Sequence, residues 1–166
     1  MNEIVIDDNR AGLPILSTLT DLIRTGDEIQ KIEGIFSGTL SYIFNSFSNF
    51  NESTSTSFSF SQIVKMAKEK GYTEPDPRDD LNGLDVARKV VILGRVAGFK
   101  LSLETLPIEN IVPEELRSLS LDEFMMKLSE YDIQFEHMNK EAADKGEVLR
   151  YVGFVSSQGS CVTLKR

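Results

Sequence analysis

Residues 71–98, GYTEPDPRDDLNGLDVARKVVILGRVAG, constrain this chain more than any other stretch. A turn-rich acidic segment leads into a long helix that is apolar around most of its circumference. Glu74, Asp76, Asp79 and Asp80 place four carboxylates within seven residues. Inside the apolar run, Asp85 and Lys89 stand four positions apart, so on a helix they project side by side. Many carboxylates near a lysine with little room to reach solvent are costly unless something cationic binds there. The pattern predicts that the chemistry of the chain lies here.

The rest of the composition narrows the class. With 166 residues, 40% apolar and 27% charged, the chain fits one globular domain able to bury a core. A net charge of -8 argues against a nucleic-acid surface. The single cysteine, Cys161, reads as an incidental thiol. No apolar run reaches the roughly 20 residues of a membrane helix, and the opening MNEIVIDDNRAG is acidic where a signal peptide is basic and then apolar. The expectation is an intracellular, cytoplasmic protein, or a plastid one if the source is a plant.

Periodicity gives helices and strands in alternation. IVI at 4–6 suggests a short strand, 13–25 a helix with Pro14 in its first turn, and 28–36 a half-buried strand in which Gly34 marks a bulge or close approach. Ser37-Gly38-Thr39 opens a helix over 40–47. Such a strand-to-helix turn offers N–H groups to an anion, but a plain connection is the favoured reading. The serine-rich stretch 46–61 reads as a surface loop, with Ser59 or Ser61 capping a helix that ends at Gly71. The long helix is expected to begin near Asp79 or Asp80. An extended piece follows at 106–112, limited by Pro107 and Pro113. Ser120 with Glu123 forms a capping box, and an apolar stripe runs through Phe124, Met125, Leu128 and Tyr131, after which the helix either breaks or runs on through Ile133, Phe135 and Met138 to Ala143. His137 reads as an exposed helical histidine. Residues 147–155, a turn at 156–160 and 161–164 form a hairpin. The expected fold is α+β: a small mixed sheet with helices packed on one face, ending before the sheet is complete.

Capping and solvation account for Asp76 and Asp79, since acids suit a helix N-terminus. They account less well for Asp85 and Lys89. One reading of that pair is a structural ion pair. The other is a site that holds an ammonium-bearing ligand on the carboxylates and transfers a proton through Lys89, because a lysine beside a carboxylate can protonate a developing alkoxide. Neither GxGxxG nor GxxxxGK[ST] occurs, so a nucleotide would be held by another domain or chain.

GIFSGTLSYIFN (34–45) and GYTEPDPRDDLNGLDVARKVVILGR (71–95) resemble signature segments of homoserine dehydrogenase, and 11–15, AGLPI, resembles the segment before its first catalytic-domain helix. The resemblance is to the monofunctional fungal or plant type and runs from about residue 11 to 155. It implies NAD(P)-dependent interconversion of L-aspartate 4-semialdehyde and L-homoserine, on the route to threonine, methionine and isoleucine. It implies Lys89 as proton donor to the carbonyl oxygen, with Asp85 in the same step and in substrate contact. Glu74 and Asp80 would hold the substrate ammonium, and Gly38, Thr39 and Tyr72 would line the pocket. By the resemblance, 1–10 is an atypical lead-in and 11–166 an incomplete catalytic, substrate-binding and dimerisation domain. Family members pair through this domain's sheet, so a homo-oligomer, or pairing with full-length subunits, is expected, with no nucleic-acid or membrane partner. Ile6 stands where the family has a metal-ligating Glu. Of a sodium-type monovalent cation site, only the backbone carbonyls of Ala11 and Leu13 remain as candidates. The family's nucleotide domain is not in these residues, so the chain alone is expected to be inactive. The alternative is a non-catalytic interaction module.

Overall fold

Two glycines, Gly94 on a helix and Gly153 on a strand, decide how closely helix and sheet approach. The computed structural model describes residues 15–49 and 58–166, and the backbone of 2–7. Strands β1 (Asn2–Asp7), β2 (Ile29–Ile35), β3 (Arg150–Ser156) and β4 (Gly159–Lys165) form one sheet in that order. β1 runs parallel to β2, and β2 antiparallel to β3, with Gly34 opposite Gly153. The sheet is therefore mixed and the fold α+β, as the periodicity implied. A two-residue turn, Ser157-Gln158, joins β3 to β4, and Ile108 bridges to Val162 within the extended piece anticipated at 106–112.

The helices are α1 (Ile15–Arg24), α2 (Gly38–Phe47), α3 (Phe60–Glu69), α4 (Arg78–Leu81), α5 (Leu84–Val96), α6 (Leu121–Lys127) and α7 (Asp132–Ala143). Short 3-10 turns lie at Glu114–Leu116 and Leu128–Tyr131. The long helix expected from Asp79 or Asp80 is in fact two. Asn82 ends α4, and buried Gly83, at φ 75°, separates it from α5. A helix cannot run through a left-handed residue, and glycine adopts that conformation without steric cost.

The residues divide into two compact units. One comprises 1–38, 83–109 and 152–163. In it α5 buries Val86, Ala87, Val90, Val91, Leu93 and Gly94. A Cβ on Gly153 would stand 2.3 Å from Val90 Cγ2 and 2.8 Å from the Phe36 ring, so the bare backbone of β3 admits both side chains. Gly94 admits Leu101 and Val155 in the same way.

The other unit comprises 39–82, 110–151 and 164–166. Its core is aromatic: Phe60 stacks on Phe135 at 3.9 Å, with Phe47 edge-on to both and Phe44 beside Phe60. Ser59 caps α3 with Gln62, and Ser120 caps α6 with Glu123, both as capping boxes. Asp132 ties α7 to α3 by accepting from the Ser61 N–H and hydroxyl at 2.8 and 2.6 Å. The Arg150 guanidinium donates to the carbonyls of Phe44 and Ser48 at the end of α2. Of the two courses open after Tyr131 the helix breaks: the 3-10 turn Leu128–Tyr131 separates α6 from α7, and Ile133 is 79% exposed. Most of the serine-rich loop, 50–57, lies outside the described residues.

Gly153→Ala is expected to lower unfolding stability by about 1–3 kcal/mol, because Val90 and Phe36 must both move. Gly94→Ala should cost less. The atom it meets at 2.3 Å is the end of the Leu101 side chain, and alanine is favoured in a helix over glycine by about 1 kcal/mol. Urea unfolding of both variants checks the order.

Candidate functional site

The first group of predicted site residues belongs to the unit built on α5. Asp85 and Lys89 are paired at 2.8 Å across one helical turn. Lys89 Nζ also donates to the Phe36 carbonyl at 2.7 Å, at the end of β2. These two partners use two of the three N–H bonds of an ammonium, so the third remains for a ligand oxygen. The pair is not buried, contrary to the expectation from the apolar run: the side chains are 61% and 47% exposed. The reason is geometric. Leu84, Ile92 and Val96 share the outer face of α5 with Asp85 and Lys89, so the helix's apolar residues are divided between two faces. As an exposed i,i+4 pair it stabilises the helix by only about 0.3–0.5 kcal/mol. The hydrogen bond to Phe36 is what anchors the ammonium to the sheet.

The second group lies in the other unit, around the turn after α3. Gly71, at φ 71°, ends that helix and reverses the chain, and the Tyr72 N–H donates back to the Ala67 carbonyl. The Thr39 hydroxyl, in the first turn of α2 beside Gly38, donates to the Tyr72 carbonyl at 2.6 Å. Asp80 accepts from the Glu74 N–H at 2.8 Å, which folds the turn so that both carboxylates belong to one short loop. Burial raises the Asp80 carboxyl above its ordinary value. The Glu74 N–H and the Thr39 hydroxyl work against this, while the charges of Glu74 and Asp79 add to it. Exposed Glu74 and half-buried Asp80 thus form an acidic pair that a cation would relieve.

Asp76 has a different task. It takes Arg78 Nε and Nη2 in a fork at 3.0–3.1 and 2.6 Å, and Arg78 Nη1 reaches the carbonyls of Leu116, Arg117 and Leu119. The guanidinium also lies 5.3 Å from the Phe124 ring centroid. Arg78 holds the Asp76 carboxyl below its ordinary value through that hydrogen bond. Asp76 is therefore a brace for the turn, in keeping with its reading as a structural acid.

Residues 14–165 match the sequence profile of homoserine dehydrogenase, which covers both groups of site residues. The chain belongs to the homoserine dehydrogenase family. It is 56% identical over 147 residues to the homoserine dehydrogenase of Saccharomyces cerevisiae, covering 87% of this chain and 40% of that one. It is 54% identical over 159 residues to the bifunctional aspartokinase/homoserine dehydrogenase 1 of Arabidopsis thaliana chloroplasts, covering 94% and 17%. The chain thus spans two fifths or less of these two relatives. Among solved structures, a Candida auris protein of unknown function superimposes with a TM-score of 0.87 at 48% identity, over 93% of this chain and 44% of that one. A homoserine dehydrogenase from Thiobacillus denitrificans shares the fold, with a TM-score of 0.66 at 23% identity, over 93% and 31%.

For this homoserine dehydrogenase family chain, Thr39, Tyr72, Glu74 and Asp80 fall within one unit, and Asp85 and Lys89 within the other. Ala11 and Leu13 lie outside the described residues. His137 is 72% exposed and faces Glu141 at 3.4 Å on its own helix. Among the described residues no helix is long and apolar enough to cross a membrane, and no cluster of three metal-ligating side chains occurs. Two residues beside the acidic loop escaped the sequence reading: Tyr42, one turn after Thr39 on α2, and Lys70, two before Tyr72. Spacing alone offered a signal only for Tyr42.

Because folding raises the Asp80 carboxyl, the folded state holds this proton more tightly than the unfolded chain does. That stabilisation is present in acid, below the unfolded value, and is lost as pH rises through the folded value. Asp80→Asn, whose amide oxygen can still accept from Glu74, should therefore gain melting temperature relative to wild type between pH 3 and pH 7. A relative loss over that interval would contradict the assignment.

Proposed function

We propose that this chain supplies the substrate-handling residues for the NAD(P)-dependent interconversion of L-homoserine and L-aspartate 4-semialdehyde, a step toward threonine, methionine and isoleucine. The observation that carries this reading is that the family match at residues 14–165 spans both the acidic loop and the Asp85–Lys89 pair. A non-catalytic interaction module pairing with full-length subunits is the less favoured reading. On the proposed reading, 11–166 is the substrate-binding and dimerisation domain.

The roles follow from the chemistry of each group. Both substrates are α-amino acids, so each carries an ammonium. Glu74 and Asp80 are assigned its recognition, since a cation beside the loop lets Asp80 ionise more readily and offsets the repulsion between the carboxylates. The Thr39 hydroxyl meets the Tyr72 carbonyl, and Gly38, Thr39 and Tyr72 are assigned the wall of the amino-acid pocket. Lys89 is assigned proton transfer at the substrate oxygen. Its ammonium is oriented by Asp85 and by the Phe36 carbonyl, and its remaining N–H can meet an oxygen on which negative charge develops. Asp85 keeps the ammonium aimed, and is assigned substrate contact as well.

The nicotinamide is a different matter. The sequence lacks a glycine-rich dinucleotide turn, and β3 runs antiparallel to β2 beside the parallel pair β1 and β2. These residues do not fit a dinucleotide, which is assigned to residues outside them.

Two measurements test the reading. In calorimetry with L-homoserine, Glu74→Ala is expected to weaken binding about 10- to 100-fold, since a charge-assisted contact is lost. Lys89→Ala should bind within about 3-fold of wild type, because a proton donor serves the transition state more than the ground state. Unchanged binding in Glu74→Ala would overturn the ammonium assignment. A polypeptide of these 166 residues, given L-homoserine and NADP, should show no turnover above background. Robust turnover would overturn the placing of the dinucleotide elsewhere.

A further inference from the structure

Lys70, Gly71 and Tyr72 form the C-terminal stop of α3, and the left-handed glycine turns the two flanking side chains toward α2. There they meet Tyr42. Lys70 Nζ donates to the Tyr42 hydroxyl at 3.0 Å, and lies 5.2 Å from the Tyr42 ring centroid and 6.0 Å from that of Tyr72. The two rings are 4.9 Å apart and edge-on at 74°. The Tyr72 ring is 51% exposed, so this cluster is what restrains it on the protein side. The same residue's carbonyl is held by Thr39, and two positions on, the Glu74 N–H is held by Asp80. Side chain and backbone of the 72–74 segment are thus fixed to α2 by separate contacts, one aromatic and cationic, the other a hydrogen bond.

We propose that Tyr42 and Lys70 are positioning residues for the amino-acid pocket, clamping the Tyr72 ring so that the loop bearing Glu74 and Asp80 is preorganised for an α-amino acid. The inference rests on the assignment of ammonium recognition to that loop. Neither residue needs to touch the ligand. Their effect is to spare the loop the ordering that binding would otherwise impose. The cation serves both rings at once, so removing it frees Tyr72 even when Tyr42 remains.

The test is L-homoserine binding by calorimetry for wild type, Tyr42→Leu, Lys70→Met, the double variant, Lys70→Arg and Glu74→Ala, with a melting curve and near-ultraviolet circular dichroism for each. Tyr42→Leu and Lys70→Met should each weaken binding about 3- to 10-fold, the range of a ring pair or a cation–π contact. The double variant should be no worse than the weaker-binding single one, since both act through Tyr72. Lys70→Arg keeps a cation over the rings and should bind within about 2-fold of wild type. The chain has four tyrosines and no tryptophan, so loss of the Tyr42–Tyr72 coupling in Lys70→Met should alter the tyrosine dichroism at an unchanged melting temperature. Wild-type affinity in Tyr42→Leu and Lys70→Met, alongside weakened binding in Glu74→Ala, overturns the clamp and leaves the ammonium assignment standing. Undiminished binding in Glu74→Ala, or none in wild type, overturns both.

Discussion

The approach of α5 to β3 is the constraint on which the Asp85–Lys89 pair depends. Gly153 leaves room for Val90 and Phe36 on the bare strand, and Lys89 is the residue next to Val90. Its ammonium reaches the carbonyl of that same Phe36. Packing and hydrogen bonding therefore use neighbouring atoms: the apolar contact sets the distance between helix and strand, and the carbonyl then receives the lysine. A side chain at 153 would push the helix away and loosen the Lys89 contact before it touched any chemistry.

In the other unit the acidic loop is held from several sides, and the means differ at each. Arg78 braces Asp76 and gathers three carbonyls. Asp80 takes the Glu74 N–H, and Lys68 donates to the Pro75 carbonyl at 2.5 Å. Four carboxylates in so short a stretch repel one another, and these contacts separate their tasks. Asp76 is neutralised within the structure, whereas Glu74 has no cation of its own among the contacts described. A loop braced in this way can carry uncompensated charge without unfolding, which a site for an ammonium group requires.

Much of this could be read from the residues. The strand and hairpin at 147–164, a cap for α3 at Ser59 or Ser61, the capping box at Ser120, and the mixed α+β character all rest on local rules of spacing, caps and turns. So do the i,i+4 pairing of Asp85 with Lys89 and the reading of Asp76 as a structural acid. Two expectations failed. One long helix was expected from Asp79 or Asp80, yet the left-handed Gly83 divides it. A helix apolar around most of its circumference was expected to leave Lys89 little room to reach solvent, yet its side chain lies outward. Burial is decided by which neighbours arrive, and a periodic pattern does not name them.

By itself the sequence determined the element types, the stop at Gly71, the family, and the candidate residues for binding a cation or giving a proton. These follow from backbone conformation, local spacing and side-chain chemistry, which act over a few residues. Only the tertiary structure decided that Phe36 receives Lys89, that Thr39 and Asp80 secure the loop at Tyr72 and Glu74, and that Lys70 lies against both Tyr42 and Tyr72. Those contacts join residues brought together by packing, and packing depends on the shapes of all the partners at once.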